Sequence, residues 1–377
     1  MRDAPHLPHL SYLYNPYEIA ICGYSGGGKT HLIERLLASL TPDLVMGYVK
    51  HRAHAFHMDR PGKDTDRARQ AGASLVSIAD GHHQALIDAC EGASLASDLR
   101  YLRCDAVIVE GGKDLSMPQI VVVDADKKIL DDLPRGAIAL CGQEPLEHAL
   151  PWYHRDAIAD LRSLILDRWA QEAAAQPILG LILAGGRSQR MGLDKGVLQY
   201  HQHPQISHLA KLLAPFSRQV AISARPGQYE AESGLPLLED QFLDMGPLGG
   251  LLTAHRRYPT HALLSLACDM PNIDATFLTA LLRERSPLRL ATVPRGEAGL
   301  EPLAAIYEPK FFRFAWEALG RGEVSPQGLL QRHRIHSFVP ELKNALVNVN
   351  LPADREAWLR HREGRDHGDE GLTRESV

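Results

Sequence analysis

The sequence predicts an α/β protein made of two doubly wound units in tandem. Three observations carry this. Short apolar strands alternate with amphipathic helical stretches, each half opens on a strand, a glycine-rich loop and a helix, and an alanine-rich stretch ended by proline, Gln171–Pro177, lies between them. A chain of 377 residues also suits two domains at roughly 100–200 residues each.

In the first half, Glu18–Cys22 reads as a buried strand. Leu32, Ile33, Leu36, Leu37 and Leu40 fall at helical spacing and predict a helix over 31–40. Leu44–Val49, Ser74–Ile78, Ala106–Val109, Gln119–Val123 and Ala137–Leu140 are further strands, expected to form a mostly parallel sheet. A helix is expected over 154–169, followed by a semi-rigid link, because alanine favours helix. Ile178–Leu183 opens the second series. It continues through strands at Gln219–Ser223, His261–Leu266, Leu288–Val293 and Pro302–Ile306, with helices over 204–213 and 274–282. Beyond residue 360 the chain is charged and almost without large apolar residues, so a disordered tail is expected over 361–377. The resulting division is 1–172, 173–360 and the tail.

Composition narrows the function. Hydrophobic residues at 45% and charged residues at 23% are ordinary for a globular chain, and a net charge of −5 lends no support to nucleic-acid binding. No apolar run approaches a membrane span, and Met1–Leu10 lacks a secretory pattern. The 5 cysteines are scattered without a C-x-x-C pair, so a reducing cytoplasm is the expected location. The 19 histidines form no metal-ligand spacing.

Gly23-Tyr24-Ser25-Gly26-Gly27-Gly28-Lys29-Thr30 fits G-x-x-x-x-G-K-[ST], with a strand before and a helix after. Backbone N–H groups of Gly23, Ser25, Gly26, Gly27 and Gly28 can turn toward phosphate oxygens. Lys29 can reach the β- and γ-phosphates, and the Thr30 hydroxyl can hold Mg²⁺. Glu110 ends an apolar strand on the side where parallel strands meet ligand, which makes it a better acidic partner than Asp105 at the opposite end. The polar loop 50–66 offers Asp59, Lys63 and Asp64 as further contacts, or is simply solvated. No N-K-x-D motif identifies a base. Together, the glycine loop, K-H-x-x-H…D-x-P-G-K-D and V-E-G-x-K resemble the molybdopterin-guanine dinucleotide biosynthesis adaptor over about residues 15–170. That resemblance implies a P-loop NTPase-like fold, GTP binding and weak GTP hydrolysis in support of a guanylyltransferase.

The second loop, Leu183-Ala184-Gly185-Gly186-Arg187-Ser188-Gln189-Arg190-Met191-Gly192-Leu193-Asp194-Lys195, is neither G-x-G-x-x-G nor a Walker sequence. It gathers Arg187, Arg190 and Lys195 beside adjacent glycines. Three cations in so short a loop repel one another unless an anion sits among them, and a triphosphate supplies one. In Ala267-Cys268-Asp269-Met270-Pro271, Asp269 at a strand end is a candidate Mg²⁺ ligand. Asp240 could read a nucleotide, and Gly246-Pro247-Leu248-Gly249-Gly250 would let the chain pass close to it. Asn348 and Asn350 alternate with valines; on a strand they would share one face and bond a heterocycle, or else they cap the next helix.

L-A-G-G-R-S-x-R-M-G-x-D-K, E-D, G-P-L-x-G, C-D-M-P and V-N-V-N, in this order, resemble the molybdenum cofactor guanylyltransferases over about residues 177–360. That resemblance implies a Rossmann-like nucleotidyltransferase that moves GMP from GTP to Mo-molybdopterin with Mg²⁺. It assigns nucleotide contacts to Leu183, Ala184, Gly185, Lys195, Asp240 and Asp269, with Asp269 also on the metal. The chain then reads as a fusion of adaptor and transferase. GTP and Mo-molybdopterin are its ligands, molybdoenzyme apoproteins or their chaperones further partners, and a homo-oligomer is left open. One departure is Ser223-Ala224-Arg225, where relatives often carry asparagine. Alternatives are a molybdopterin cytidylyltransferase, disfavoured because such relatives usually read L-A-A-G; a sugar-nucleotide pyrophosphorylase; a P-loop kinase with a regulatory second half; and a first half that only docks.

Overall fold

The computed structural model describes residues 12–51, 61–80, 82–88, 99–185, 195–201, 203–229, 234–242, 244–341 and 344–369. Gly186, Arg187 and Arg190 of the second loop, and Asp59 of the first polar loop, lie outside them. The chain forms two compact units that divide between Trp169 and Ala170.

The first unit carries β1 (Glu18–Cys22), α1 (Lys29–Leu40), β2 (Met46–Lys50), α2 (Asp64–Gln70), β3 (Leu75–Ala79), β4 (Gln84–Asp88), β5 (Ala106–Glu110), β6 (Gln119–Val122), β7 (Ala137–Gly142) and β8 (Trp152–His154). α3 (Ile158–Ala175) then crosses the division, so most of the expected link is helix. Six strands form one wholly parallel sheet in the order β2-β5-β1-β6-β7-β8. β1, β5 and β6 are buried at every residue, which is why they read as unbroken apolar runs rather than as alternations. α1 covers the sheet with Leu32, Ile33, Leu36 and Leu40.

The strand expected at Ser74–Ile78 does form, but outside that sheet. Among the described residues β3 pairs only with β4, as an antiparallel hairpin. Asp80 stabilises the connection by accepting hydrogen bonds from the backbone N–H groups of His82 and His83 at 2.7 and 2.6 Å. A hairpin needs one apolar face at most, and Leu75 and Ile78 stay exposed.

The second unit continues with β9 (Ile178–Leu183), β10 (Gln199–His201), β11 (His203–Pro204), α4 (Gln205–Leu213), β12 (Gln219–Ala224), β13 (Leu237–Glu239), α5 (Gly246–Arg257), β14 (Ala262–Ala267) and α6 (Ala275–Arg283). It closes with β15 (Ala291–Gly296), β16 (Gly299–Leu300), β17 (Ala304–Tyr307), α7 (Phe311–Gly320), α8 (Pro326–Arg332), β18 (His336–Phe338) and α9 (Pro352–Asp369). The main sheet runs β13-β12-β9-β14-β17-β15-β16, with β18 on β15. β13, β12, β9 and β14 are mutually parallel, whereas β17 is antiparallel to β14. One buried ion pair braces the antiparallel end: Arg285 donates two hydrogen bonds to Glu308, at 2.8 and 2.9 Å. Glu308 is only 1% exposed, so the two-point geometry is what makes its burial tolerable.

Two expectations fail here. Residues 361–369, assigned to a disordered tail, continue α9. The helix is anchored earlier, where the Trp358 indole N–H donates to Asn272 Oδ1 at 2.6 Å. Once nucleated, a helix extends without needing burial at every turn. Val347–Asn350 is not a strand but irregular chain. Nor do its asparagines cap α9. Asp354 does so, accepting from the backbone N–H groups of Asn350 and Leu351 at 3.2 and 2.9 Å. No helix among the described residues is long and apolar enough to cross a membrane.

Candidate functional site

In the first unit, the parallel register carries Lys50 and Glu110 to the sheet edge where the glycine loop leaves β1. The loop needs its glycines. Gly23, Gly26 and Gly28 have φ of 150°, 81° and 83°, and a Cβ on Gly23 would sit 2.6 Å from the Val122 carbonyl oxygen. Gly28 precedes the first turn of α1, so the helix N-terminus faces the loop. Lys29 Nζ donates to the Tyr24 carbonyl at 2.7 Å.

Glu110 gathers three donors. The Thr30 hydroxyl reaches Oε1 at 2.9 Å, the Tyr48 hydroxyl reaches Oε2 at 2.6 Å, and Lys50 Nζ approaches Oε1 at 3.4 Å. Burial pushes the Glu110 carboxyl up, but the hydrogen bonds from Tyr48 and Thr30 and the charge of Lys50 outweigh it, leaving it below its ordinary value. The same pair raises Tyr48 to about 12, through burial and the adjoining carboxylate. Asp105, at the other end of β5, instead accepts from the Val45 N–H at 2.7 Å. Arg155, which the sequence did not single out, donates from Nη2 to the Gly27 carbonyl at 2.9 Å.

In the second unit, Leu183, Ala184 and Gly185 leave the C-terminal end of β9. Leu183 lies opposite Ser223 of β12 on one side and Ala267 of β14 on the other. Glu239 of β13 lies opposite Ala224, which brings Asp240 to the same edge. The Ser223 hydroxyl donates to Asp240 Oδ1 at 2.6 Å. Burial raises the Asp240 carboxyl, opposed by that hydrogen bond and by Arg225. The serine at the departure from the family pattern therefore holds a candidate residue. Gln228 also points here, donating to the Ala184 carbonyl at 2.9 Å.

Lys195 Nζ donates to Asp269 Oδ2 at 3.2 Å and to Asn350 Oδ1 at 2.6 Å. The other Asp269 oxygen, Oδ1, is buried and accepts no hydrogen bond among the described residues. Asn348 Nδ2 donates to Glu301 Oε2 at 3.2 Å. Lys195, Asp269, Asn348 and Asn350 thus converge from widely separated parts of the chain. Glu301 joins them without having been expected; a single carboxylate before an apolar strand carries no recognisable signal.

Gly249 and Gly250 lie inside α5, not in a loop before it. What they allow is close packing on the protein itself. A Cβ on Gly250 would meet Ser223 Oγ at 2.5 Å. Gly185 is tighter still in its consequence, because a Cβ there would lie 2.5 Å from Asp240 Oδ2. Gly185→Ala must displace a carboxylate that Ser223 already holds. It is expected to cost about 1–3 kcal/mol, a fall of several degrees in Tm by differential scanning calorimetry. An unchanged Tm would mean that Asp240 moves freely.

Two family models match the chain: Molybdopterin guanine dinucleotide synthesis protein B over residues 18–140, and the MobA-like NTP transferase domain over residues 180–337. A molybdenum cofactor guanylyltransferase of Syntrophotalea carbinolica is 32% identical over 195 residues, 49% of this chain and 91% of the relative. That of Pseudomonas fluorescens is 35% identical over 188 residues, 48% of this chain and 93% of the relative. A molybdenum cofactor biosynthesis bifunctional protein of Synechocystis is 32% identical over 48% of this chain, and the match spans 54% of that relative's own length. Among solved structures, molybdopterin-guanine dinucleotide biosynthesis protein A of Archaeoglobus fulgidus is 19% identical, with TM-score 0.44, over 49% of this chain and 99% of its own. MobB of Bacillus subtilis is 24% identical, with TM-score 0.36, over 40% of this chain and 96% of its own.

Proposed function

The chain belongs to the molybdenum cofactor guanylyltransferase family, and from that premise we propose that its second unit transfers GMP from GTP to the terminal phosphate of Mo-molybdopterin, releasing pyrophosphate. The observation that carries this reading is Lys195, held between Asp269 and Asn350 at the edge where the neighbouring strands β9 and β14 end. A phosphate oxygen of the acceptor attacks the α-phosphorus in line. The new P–O bond forms as the bond to the β-phosphate oxygen breaks, and pyrophosphate carries away the charge. The acceptor oxygen is already anionic, so no side chain need remove a proton. Lys195, with Arg187 and Arg190, neutralises the triphosphate.

Asp269 suits Mg²⁺. The ion typically takes only one or two protein carboxylates beside substrate phosphates, and Oδ1 is a buried acceptor with no donor among the described residues. When bound, the metal would offset charge on the triphosphate. Thr30, beside Glu110, would serve a second Mg²⁺ in the first unit.

Leu183, Ala184, Gly185 and Asp240 would form the nucleotide side of the site, with Gly186 continuing the loop, and Ser223 positioning Asp240. Asp240→Asn separates stability from binding. A carboxyl raised on folding destabilises the fold where it is ionised, and that cost disappears as pH falls through its folded pKa. The variant is therefore expected to melt a degree or two higher at pH 8, with the difference vanishing in acid, while GTP binds about tenfold more weakly. Melting curves from pH 8 to 4 and a GTP titration check both. A lower Tm at pH 8 would overturn the assignment.

The first unit binds GTP through Gly23, Ser25, Gly26, Gly27, Gly28, Lys29, Thr30 and Glu110 and assists transfer, with weak hydrolysis at most. Molybdoenzyme apoproteins or their chaperones would receive the product. A cytoplasmic setting suits the thiols of Cys22, Cys104, Cys141 and Cys268, which form no disulfide among the described residues. The deciding experiment measures pyrophosphate release by the full chain with Mg²⁺ and GTP, CTP or ATP, with and without molybdate-loaded molybdopterin. Release only with GTP and acceptor is expected. Release with CTP would overturn the base, and release with none would overturn the reaction.

A further inference from the structure

The second sheet orders the candidate residues from one flank to the other. Asp240 and Ser223 stand at β13 and β12, Ala184 and Gly185 at β9, and Asp269 past β14. β17 is antiparallel to β14 with Leu266 opposite Ala304, so the stretch before β17 returns to the same edge and Glu301 arrives near Asp269. If the nucleotide occupies the Ser223–Asp240 flank and the reacting phosphates lie at Lys195 and Asp269, the acceptor must approach from the Glu301 side. That placement rests on the transfer proposed above.

On that flank, Asn348 is held by the two residues that follow it. The Val349 N–H donates to the Asp269 carbonyl at 2.8 Å, and the next residue, Asn350, takes its bond from Lys195. The Asn348 amide itself has one protein partner among the described residues, Glu301. Glu301 Oε1 accepts from the Leu303 N–H at 3.1 Å, and Oε2 is left for Asn348. An ionised carboxylate accepts and never donates. Asn348 must therefore turn its NH₂ toward Glu301 and its carbonyl away. That carbonyl oxygen is buried and accepts no hydrogen bond among the described residues. A buried acceptor left without a donor is costly, so it calls for an N–H from a ligand.

We infer that Glu301 is a positioning residue for the acceptor: it sets the polarity of the Asn348 amide, so that the site presents a carbonyl to an N–H donor of the acceptor's heterocycle. A glutamine at 301 has the same shape but can donate as well as accept. Its NH₂ would let Asn348 flip and offer a donor where the ligand also brings a donor.

The test is binding by the full chain. Molybdopterin is titrated by pterin fluorescence and GTP by calorimetry, for wild type, Glu301→Gln, Asn348→Ala and the double variant. Each single substitution is expected to weaken molybdopterin binding about tenfold, with GTP affinity within about twofold of wild type. Because Glu301 acts through Asn348, the double variant should bind no more weakly than Asn348→Ala alone, which a separate structural contribution would not produce. Full additivity, unchanged molybdopterin affinity, a loss falling on GTP instead, or a wild type without molybdopterin affinity would each overturn the inference. Should Glu301→Gln not fold, Glu301→Asp and Glu301→Asn compare the same two polarities at equal size; the aspartate is expected to bind more tightly. A wild type that binds both ligands but releases no pyrophosphate would refute guanylyl transfer and leave this inference standing.

Discussion

Asp269→Asn is expected to lower pyrophosphate release by about 10²–10³-fold at saturating GTP and Mg²⁺. The substitution keeps shape but replaces one of two carboxylate oxygens with NH₂. If the NH₂ faces Lys195, it meets a donor in place of the present 3.2 Å acceptor. If it faces the other way, it removes the buried Oδ1 proposed for Mg²⁺. Neither orientation restores both roles. The fold should survive, because the bond from Val349 goes to the Asp269 backbone carbonyl, which the change leaves intact. GTP should still bind, held on the other flank at Gly185 and Asp240. A turnover number within about threefold of wild type would remove Asp269 from the mechanism.

Lys29→Ala should delete one nucleotide site and spare the other. The full chain is expected to bind two GTP molecules by calorimetry, and the variant one, while pyrophosphate release stays within about twofold. Lys29 donates to the carbonyl of Tyr24 within its own loop, a bond that a bound phosphate would replace with an ionic one. Losing that charge typically costs a phosphate site about 10²-fold in affinity or more. A variant that still binds two GTP molecules would place the second nucleotide elsewhere. A variant that binds one but also loses transfer would mean that the first unit is required for the reaction rather than assisting it.

The sequence made the sheets legible because burial is written along their strands. β1, β5 and β14 are apolar at almost every position, and each was found within a residue or two. β3 was found as a strand but misplaced, since five residues of local pattern do not say which neighbour a strand will take. The glycine loop and Glu110 were legible through spacing and strand ends. Asn348 and Asn350 are legible as a pair but not through a strand: in irregular chain they reach Glu301 and Lys195. Ser223 stands out in the sequence only as a departure from the family pattern, and Glu301 and Arg155 not at all. Each matters only through a partner far along the chain, such as Glu301 with Asn348, and a lone polar residue carries no local trace of that partner. α9 beyond residue 360 is not legible in composition, because its anchor at Trp358 lies earlier in the chain.

The bond between Lys195 and Asn350 closes a loop of 155 residues, about three-quarters of the second unit. Closing so long a loop is entropically slow relative to local pairing, and it can form only after both ends exist. During synthesis at about 5–20 residues per second, the first unit is free to fold well before Asn350 leaves the ribosome. On the proposed reading the chemistry of the second unit therefore matures last: a nascent or C-terminally clipped chain lacking residues 348–350 would keep an intact first unit and an incomplete transferase.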